Sequence, residues 1–173
     1  MERTFVNAEI DGSTGKIVRQ KGTTIRYFDE EQGYLFWPNK DSIKIFKNYS
    51  LPSDLTDSEI ARVYRLSMVL QKGSNLISRR SGNAIKSMDI SKIANYLGIS
   101  VRQATIFLAK MINRGIIGKI TVKIGCSDEC RYYINPIYFF CGKWLTYELY
   151  SLFKKDLDGI IPDWVKTKFN SDL

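Results

Sequence analysis

The chain has 173 residues, 44% of them hydrophobic, and a formal net charge of +8 from 26 basic and 18 acidic residues. This length and apolar content favour one hydrophobic core with appendages over two equal domains. No apolar run in the sequence approaches the roughly 18 residues that span a bilayer, and residues 1–4 do not resemble the start of a signal peptide, so we expect a cytoplasmic protein without membrane contact.

Residue types that most often carry catalysis and cofactor binding are scarce. The chain contains no His, the commonest general base, and neither of the glycine motifs that bind phosphate, G-x-x-x-x-G-K and G-x-G-x-x-G. Cys126, Cys130 and Cys141 are odd in number, and the C-x-x-x-C spacing without His disfavours both a disulfide framework and a zinc site. The sequence therefore predicts no enzyme, no metal and no cofactor.

Residues 1–54 are expected to form a β-rich N-terminal extension. Strand-like runs at 4–10, 16–19, 24–28 and 34–37 alternate with turn signals. β-branched and aromatic residues that flank glycine turns favour β-hairpins. We do not expect the functional site in this extension.

A central domain, residues 55–143, begins with a predicted helix that runs to about Gln71. Thr56 and Glu59 match a capping box, and Gly73 ends the helix. The side chains expected on its inward face are Ile60, Val63, Tyr64, Ser67 and Met68. A short strand is predicted at 75–78, and the loop that follows it is basic, with Arg79, Arg80 and Lys86.

Residues 89–117 contain the most informative pattern, two predicted helices joined by a three-residue turn. Asp89 is suited to cap the first helix, and Gly98 supplies the left-handed residue that ends it. Ser100 and Gln103 match a capping box for the second helix. The residues predicted to point inward are Ile90, Ile93, Ala94 and Leu97 on the first helix and Ala104, Phe107, Leu108 and Met111 on the second. Proteins use this arrangement to present the second helix to a DNA groove.

Beyond Gly115 the apolar pattern changes to period two, which indicates a β-hairpin. Strands are predicted at 117–124 and 130–134, with a turn at 125–129. Two antiparallel strands directly after a recognition helix form a wing. The predicted fold class is therefore α+β, a winged helix-turn-helix with an N-terminal β-hairpin extension and a C-terminal helix.

Positive charge is concentrated on the central region. Residues 60–143 include 14 basic and 3 acidic residues, a net charge of +11, whereas the rest of the chain has a net charge of −3. Basic side chains clustered on one module gain affinity for nucleic acid by releasing counterions from phosphates. We therefore expect double-stranded DNA as the partner, with a generally basic, solvated surface as the alternative explanation.

The DNA contacts are assigned from the outward faces of these elements. Arg suits guanine, Gln suits adenine, and β-branched side chains suit the thymine methyl group. Base-reading roles are assigned to Val101, Arg102, Gln103, Thr105 and Ile106. Phosphate contacts are assigned to Ser100, Lys110, Lys119, Lys123 and Arg131. The alternative is a winged helix that binds only protein.

Residues 144–173 are predicted to form a C-terminal helical segment. Between 144 and 153 apolar residues recur at helical spacing, on a stripe that is wide for an exposed helix. Most such stripes are core, and the alternative is a homodimer interface, which helix-turn-helix proteins use to read two half-sites. The residues assigned to that interface are Trp144, Leu145, Leu149, Leu152 and Phe153. A final helix is predicted after Pro162.

Four short motifs follow one another in a characteristic order. They are Thr14-Gly15-Lys16 in the first turn, Asn113-Arg114-Gly115-Ile116-Ile117 after the recognition helix, Tyr132-Tyr133-Ile134-Asn135-Pro136 at the end of the wing, and Gly142-Lys143-Trp144 before the last helix. In this order they resemble the RepL-type plasmid replication initiators of bacteria and their phage-borne relatives, over roughly residues 1–153. The chain departs from that pattern in the aromatic segment 138–140 and in its C-terminal tail.

The resemblance implies sequence-specific binding of double-stranded DNA, without catalysis, in the initiation or copy control of plasmid or phage replication. Replication or transcription proteins are the further partners that such a role implies. A winged-helix transcriptional regulator of a phage or mobile element is the alternative, and the sequence does not separate the two.

Overall fold

The computed structural model describes residues 2–26, 28–29, 33–34, 42–82, 84–125 and 127–171. Over these residues the protein is a mixed α+β structure with six helices and small antiparallel sheets, which confirms the α+β part of the predicted fold class. The chain divides into two compact units, Met1–Lys40 and Asp41–Leu173. None of the helices in the described ranges is long and apolar enough to cross a membrane.

The first unit is built from hairpins. Strand β1, Glu2–Ile10, pairs antiparallel with β2, Ile17–Arg26, and the shorter strands β3, Phe28–Asp29, and β4, Gly33–Tyr34, pair with each other. Asp11 organises the first turn, because its Oδ1 accepts hydrogen bonds from the backbone N–H groups of Ser13 and Thr14 at 2.8 and 3.1 Å. The predicted strands at 16–19 and 24–28 are in fact largely one strand, β2, and residues 35–37 of the fourth predicted strand lie outside the described residues.

The second unit begins at Asp41, whereas the sequence placed the end of the extension at residue 54. The described residues of the segment 42–54 include ones that pack on the second unit. Strand β5, Lys44–Ile45, pairs with residues 139–140 far along the chain. Ile43 and Leu51 are partly buried against the main core.

Helix α1, Asp57–Ser67, starts at the predicted capping box, in which Thr56 and Glu59 bond to each other's backbone N–H groups. Its buried side chains are Val63, Leu66 and Ser67. The predicted inward face was wrong at Ile60, Tyr64 and Met68, which are exposed. The helix is rotated so that Val63 and Leu66, three residues apart, point into the core, and it ends four residues before Gln71.

The segment after α1 forms a hairpin, where the sequence predicted a basic loop. Leu70 and Ile77 form an antiparallel bridge, and strand β6, Ser78–Ser81, then pairs with β7, Ala84–Ser87. The predicted strand at 75–78 is thus only the start of a longer extended segment. Its first part pairs elsewhere, because Leu76 forms an antiparallel bridge with Tyr133.

The two helices joined by a three-residue turn are confirmed. Helix α2, Ile90–Leu97, is capped by Asp89 and ends at Gly98, which is left-handed with φ +71°. Helix α3, Val101–Asn113, starts at the capping box of Ser100 and Gln103. The inward face of α3 is buried as predicted, at Ala104, Phe107, Leu108 and Met111, and three of the four inward residues of α2 are buried, at Ile93, Ala94 and Leu97.

The predicted hairpin after α3 is present. Strand β8, Ile117–Ile124, pairs antiparallel with β9, Ser127–Ile134. The segment before β6 is hydrogen-bonded to the other edge of β9. Ile77 N–H donates to the Tyr132 carbonyl at 2.8 Å, and Ile134 N–H donates to the Asn75 carbonyl at 3.1 Å. Strand β9 therefore lies between β8 and the segment that leads into hairpin β6–β7.

The chain after β9 forms one short strand and three helices within the described residues. They are β10, Phe139–Phe140, α4, Tyr147–Leu152, α5, Lys154–Leu157, and α6, Asp163–Ser171. The helix predicted from Trp144 to Phe153 was wrong in its bounds, because Thr146 caps α4, which starts at Tyr147 and ends at Leu152. The helix predicted after Pro162 is confirmed.

Two apolar clusters hold the second unit together. The main cluster joins α1, α2 and α3 to the base of β8 and β9, where Ile117, Tyr132 and Ile134 are buried. The second cluster contains Phe140, Leu149, Tyr150, Phe153 and Leu157. Gly118 brings α4 close to β8, because a Cβ atom at this position would lie only 2.7 Å from Leu152 Cδ2. The rear of β8 is therefore covered by the C-terminal helices.

Two buried asparagines join the ends of these elements. Asn75 Nδ2 donates to the carbonyls of Ile134 and Phe139 at 3.0 and 2.6 Å, and its Oδ1 accepts from Cys141 N–H. Asn135 Nδ2 donates to the Gly115 carbonyl and to Asp156 Oδ2 at 2.8 and 2.7 Å. Each bond satisfies a polar group that burial would otherwise leave unpaired, so the ends of α3 and β9 are fixed relative to α5.

Candidate nucleic-acid interface

Helix α3 presents a solvent face at its N-terminal end. Its exposed side chains include all five residues assigned to base reading: Val101, Arg102, Gln103, Thr105 and Ile106. Two of them are apolar and strongly exposed, Ile106 at 63% and Val101 at 51%. Exposed aliphatic side chains beside an arginine provide both kinds of contact that read base edges in the major groove, an apolar contact for thymine methyl groups and hydrogen-bond donors for guanine.

The start of α3 is held rigidly by its capping box. Gln103 Oε1 accepts hydrogen bonds from Ser100 N–H at 3.0 Å and from Ser100 Oγ at 3.2 Å, and Gln103 N–H donates to Ser100 Oγ at 3.2 Å. Thr105 Oγ1 donates to the Val101 carbonyl at 2.9 Å. Three of the assigned contact residues are therefore positioned by bonds within the helix itself.

Lys110 is held by helix α1. Its Nζ lies 2.8 Å from both carboxylate oxygens of Glu59. This hydrogen bond, together with the bond from Thr56 N–H, holds the pKa of Glu59 below its ordinary value. Lys110 was assigned to a phosphate contact from sequence, but here its charge is matched by Glu59, so it links α3 to α1.

Helix α2 is fixed to α1 at its C-terminal end. Arg65 donates from its guanidinium to the carbonyls of Tyr96 and Leu97 at 2.7 and 3.0 Å, and it lies 5.5 Å from the centre of the Tyr96 ring. Tyr96 Oη donates to the Arg65 carbonyl at 3.0 Å. The last carbonyls of α2 thus have a cationic partner, which orients the turn before α3.

The basic residues of hairpin β8–β9 fall into two groups. Lys119 and Lys123 are exposed, and within the described residues neither has an ion-pair partner. Arg131 instead pairs with Glu129, with 3.1 Å between Nε and Oε1. Hydrogen bonds from Ser87 and Arg131 lower the pKa of Glu129, and the same carboxylate raises the pKa of Arg131. Of the three predicted phosphate contacts on this hairpin, two lysines are available and the arginine is neutralised.

The basic segment after residue 78 was predicted as a loop, but it forms hairpin β6–β7. Arg79, Arg80 and Lys86 are exposed on it, and none of the ion pairs found among the described residues involves them. The signal that could have revealed this hairpin is the Gly82-Asn83 pair between its strands, which is a two-residue turn sequence. A groove of about 710 Å³ separates β7 from β9, and its lining includes Lys86, Lys92, Glu129 and Arg131.

The residues assigned to a homodimer interface are divided by the structure. Leu149 and Phe153 are buried within the chain, where they pack in the second apolar cluster. Leu145 and Leu152 are partly buried against the same cluster, and only Trp144, at 82%, is strongly exposed. Most of the apolar stripe therefore belongs to this chain's own core, so a dimer through that stripe as a whole would need residues that are already covered.

Two of the three cysteines lie in the described part of the chain. Cys141 is buried and Cys130 is half-buried, with its Sγ 3.9 Å from Thr121 Oγ1, while Cys126 lies outside the described residues. Among the described residues there is no group of three or more His, Cys, Asp or Glu side chains that could hold a metal ion.

Comparison with known protein families, with curated proteins and with solved structures shows no significant match to the chain in any of the three.

Proposed function

We propose that the second unit is a winged helix-turn-helix that binds double-stranded DNA in a sequence-specific manner. In this assignment α2 and α3 are the helix-turn-helix, α3 is the recognition helix, and hairpin β8–β9 is the wing. The protein acts by binding, without catalysis, in the initiation or copy control of plasmid or phage replication.

The observation that carries this proposal is the solvent face of α3. Arg102 and Ile106 are exposed at the N-terminal half of a helix whose opposite face is fully buried, and a short turn joins it to α2. A helix that only supported the core would be expected to have polar side chains on this face. Exposed aliphatic residues around an arginine are instead suited to the floor of a major groove.

The charge distribution supports the same partner. The net charge of +11 over residues 60–143 lies on the unit that contains α3, and Lys119 and Lys123 place two available ammonium groups on the proposed wing. Such groups contact phosphates on either side of a groove and fix the register of the protein on DNA. A scaffold that binds only protein has no need of this charge.

The role in replication rests on the resemblance to RepL-type initiators alone. A transcriptional regulator would use the same α3 face and the same wing, so it is the second candidate. The two roles differ in where the preferred DNA sequence lies, inside a replication origin or at a promoter.

The proposal is tested by selecting binding sites from a pool of random duplexes and then measuring affinity at several salt concentrations. Affinity for the selected site should fall by at least about tenfold between roughly 50 and 200 mM salt, because several phosphates are neutralised. Arg102→Ala should cost about 1–3 kcal/mol on that site and little on random duplex, whereas Lys119→Ala should weaken both alike.

The matched control is Lys155→Ala, which removes an exposed charge on α5, outside α3 and hairpin β8–β9. All three side chains are exposed, so the melting temperature should hardly change in any variant. A wild-type protein that enriches no sequence, or whose binding does not respond to salt, contradicts the proposal. Equal loss on selected and random DNA for Arg102→Ala contradicts the assignment of α3 as the reading element.

A further inference from the structure

We infer that hairpin β6–β7 is a second DNA-binding hairpin, which contacts the phosphodiester backbone of the same duplex beyond the segment reached by α3 and β8–β9. This inference rests on the proposed DNA-binding function and adds to it a contact surface outside the helix-turn-helix and its wing. Three features of the structure lead to it: the direction of the hairpin, its charge, and the way in which its charges face one another.

The pairing of strands sets the direction of the hairpin. The bridge between Leu76 and Tyr133 is antiparallel, so the chain that continues from Leu76 into β6 runs toward the β8–β9 turn. The Ser87 hydroxyl, at the end of β7, donates to the Glu129 carboxylate on β9. The two hairpins are separate two-stranded sheets, but the Leu76–Tyr133 bridge and the Ser87–Glu129 hydrogen bond hold them side by side, with β6 starting in the direction of the β8–β9 turn. In this proposal a duplex that contacts β8–β9 also reaches β6–β7.

The charge of β6–β7 is of one sign. Residues 78–87 contain three basic and no acidic residues, and no acidic residue occurs from Gly73 to Met88. Hairpin β8–β9, residues 117–134, contains three basic residues and two acidic ones, Asp128 and Glu129. The hairpin outside the predicted wing is thus the more positive of the two.

Two of the three basic side chains of β6–β7 share one face of the hairpin, whereas Arg80, the residue after Arg79, lies on the other face. Arg79 is directly opposite Lys86 in the antiparallel register, and Arg80 is opposite Ile85, which is itself 51% exposed. Like charges directly opposite one another on a strand pair are destabilising. A phosphate group placed between or beside them removes this repulsion, so an anionic backbone is the ligand that this pairing favours.

Duplex DNA is the polyanion that these observations favour over a free anion. The three charges are exposed along two strands of a hairpin. The groove beside Lys86 is also lined by Asp89, Asp128 and Glu129, and these acidic side chains disfavour a single anion bound there. Contacts from exposed basic side chains bind the regularly spaced phosphates of a duplex and carry no sequence information. We therefore expect the hairpin to strengthen binding to every duplex of sufficient length.

The test compares two triple variants that lose the same charge. The first is Arg79→Ala, Arg80→Ala and Lys86→Ala in β6–β7, and the control is Lys47→Ala, Lys143→Ala and Lys155→Ala, three exposed lysines outside both hairpins and α3. The probe is a random-sequence duplex of about 30 base pairs, three helical turns, labelled for fluorescence anisotropy. Affinity is measured as a function of salt concentration, with circular dichroism spectra to verify folding.

The first variant should lower the slope of log affinity against log salt by about two to three units, and at 0.1 M salt it should weaken binding by about two orders of magnitude. The control should change the slope by less than about one unit. A third variant, Arg79→Lys with Arg80→Lys, keeps the charge and should retain the wild-type slope, which separates the loss of charge from any change in folding.

The remaining outcomes distinguish a failure of this inference from a failure of the proposed function. If the wild-type protein binds duplex with a steep slope but the first variant behaves like the control, the inference about β6–β7 is wrong and the proposed function stands. If the first variant loses affinity for a single strand of the same length and keeps it for duplex, the assignment to duplex DNA is wrong. If the wild-type protein does not bind duplex at all, the proposed function and the inference both fail.

Discussion

Hairpins β6–β7 and β8–β9 lie side by side, but their surroundings differ. The base of β8–β9 is part of the main core, with Ile117, Tyr132 and Ile134 buried, and its rear side is covered by α4 at Gly118. The described side chains of β6–β7 are largely exposed, and only Ser78 is buried.

The difference in packing is accompanied by a difference in charge. On β8–β9 the arginine, Arg131, forms an ion pair with Glu129, so part of the positive charge of this hairpin is neutralised. On β6–β7 the basic residues have no acidic neighbour on the hairpin. A strand pair that contributes little to the core can carry uncompensated charge at low cost to folding, because exposed substitutions away from special features change stability by only about 0.5 kcal/mol.

The largest expected contrast concerns truncation of one apolar side chain on each hairpin. Ile134→Ala should lower the free energy of unfolding by about 2–5 kcal/mol, because Ile134 is fully buried and its loss leaves a cavity. Ile85→Ala should change it by less than about 0.5 kcal/mol, because Ile85 is half-exposed. Urea denaturation followed by tryptophan fluorescence measures both. Similar losses for the two variants would contradict the view that only β8–β9 is part of the core.

A smaller contrast concerns added volume. Gly118→Ala should lower the free energy of unfolding by about 1–3 kcal/mol, because the new Cβ would meet Leu152 and Phe153 at 2.7–2.9 Å. Ala84→Val adds carbon atoms to the exposed strand β7 and should be nearly neutral. Thermal denaturation checks this pair. A stable Gly118→Ala protein would show that α4 is not held tightly against β8.

The smallest effect concerns Glu129, whose carboxylate neutralises Arg131. Glu129→Gln should release this arginine for a phosphate contact and raise the slope of log affinity against log salt by about one unit on duplex DNA. Anisotropy titration measures the change, and Asp128→Gln, beside it at the hairpin turn, is the control for loss of a negative charge. An unchanged slope for Glu129→Gln with an increased slope for the control would place Arg131 away from DNA.

The same carboxylate has an expected pH dependence. Because its pKa in the folded protein is lowered from the ordinary value of 4.5, Glu129 stabilises the fold above that pH. This contribution should be lost as the pH falls below about 4.5 toward the folded pKa. The stability difference between wild type and Glu129→Gln should therefore shrink on acidification, whereas a constant difference would indicate that the ion pair is not formed.

The helix ends and buried helix faces were predicted correctly where local sequence signals and tertiary packing agree. Asp89, Gly98 and Ser100 act as caps at the predicted positions, and the inward residues of α3 are buried. Caps and helical spacing depend on neighbours within four residues, so one sequence is enough to read them. The exposure of the five residues assigned to base reading followed from the same spacing.

Prediction failed where distant residues decide the outcome. The buried face of α1 is set by the packing of Val63 and Leu66 against residues from distant parts of the chain, which no local pattern contains. Strand β5 exists because Lys44 and Ile45 pair with residues almost one hundred positions later. Glu59 and Glu129 neutralise Lys110 and Arg131 through contacts that depend on the folded arrangement, so the sequence overstated the number of available cations.

The capping box of α3 limits what Gln103 can recognise. Both lone pairs of its Oε1 are directed to Ser100, so while this cap is kept the side chain offers only its N–H groups to a base. The adenine pairing usual for glutamine requires a donor and an acceptor together, whereas the acceptor-only edge of guanine, or O4 of thymine, requires donors alone. In the proposed contact with base edges, the capped Gln103 side chain therefore favours guanine or thymine over adenine.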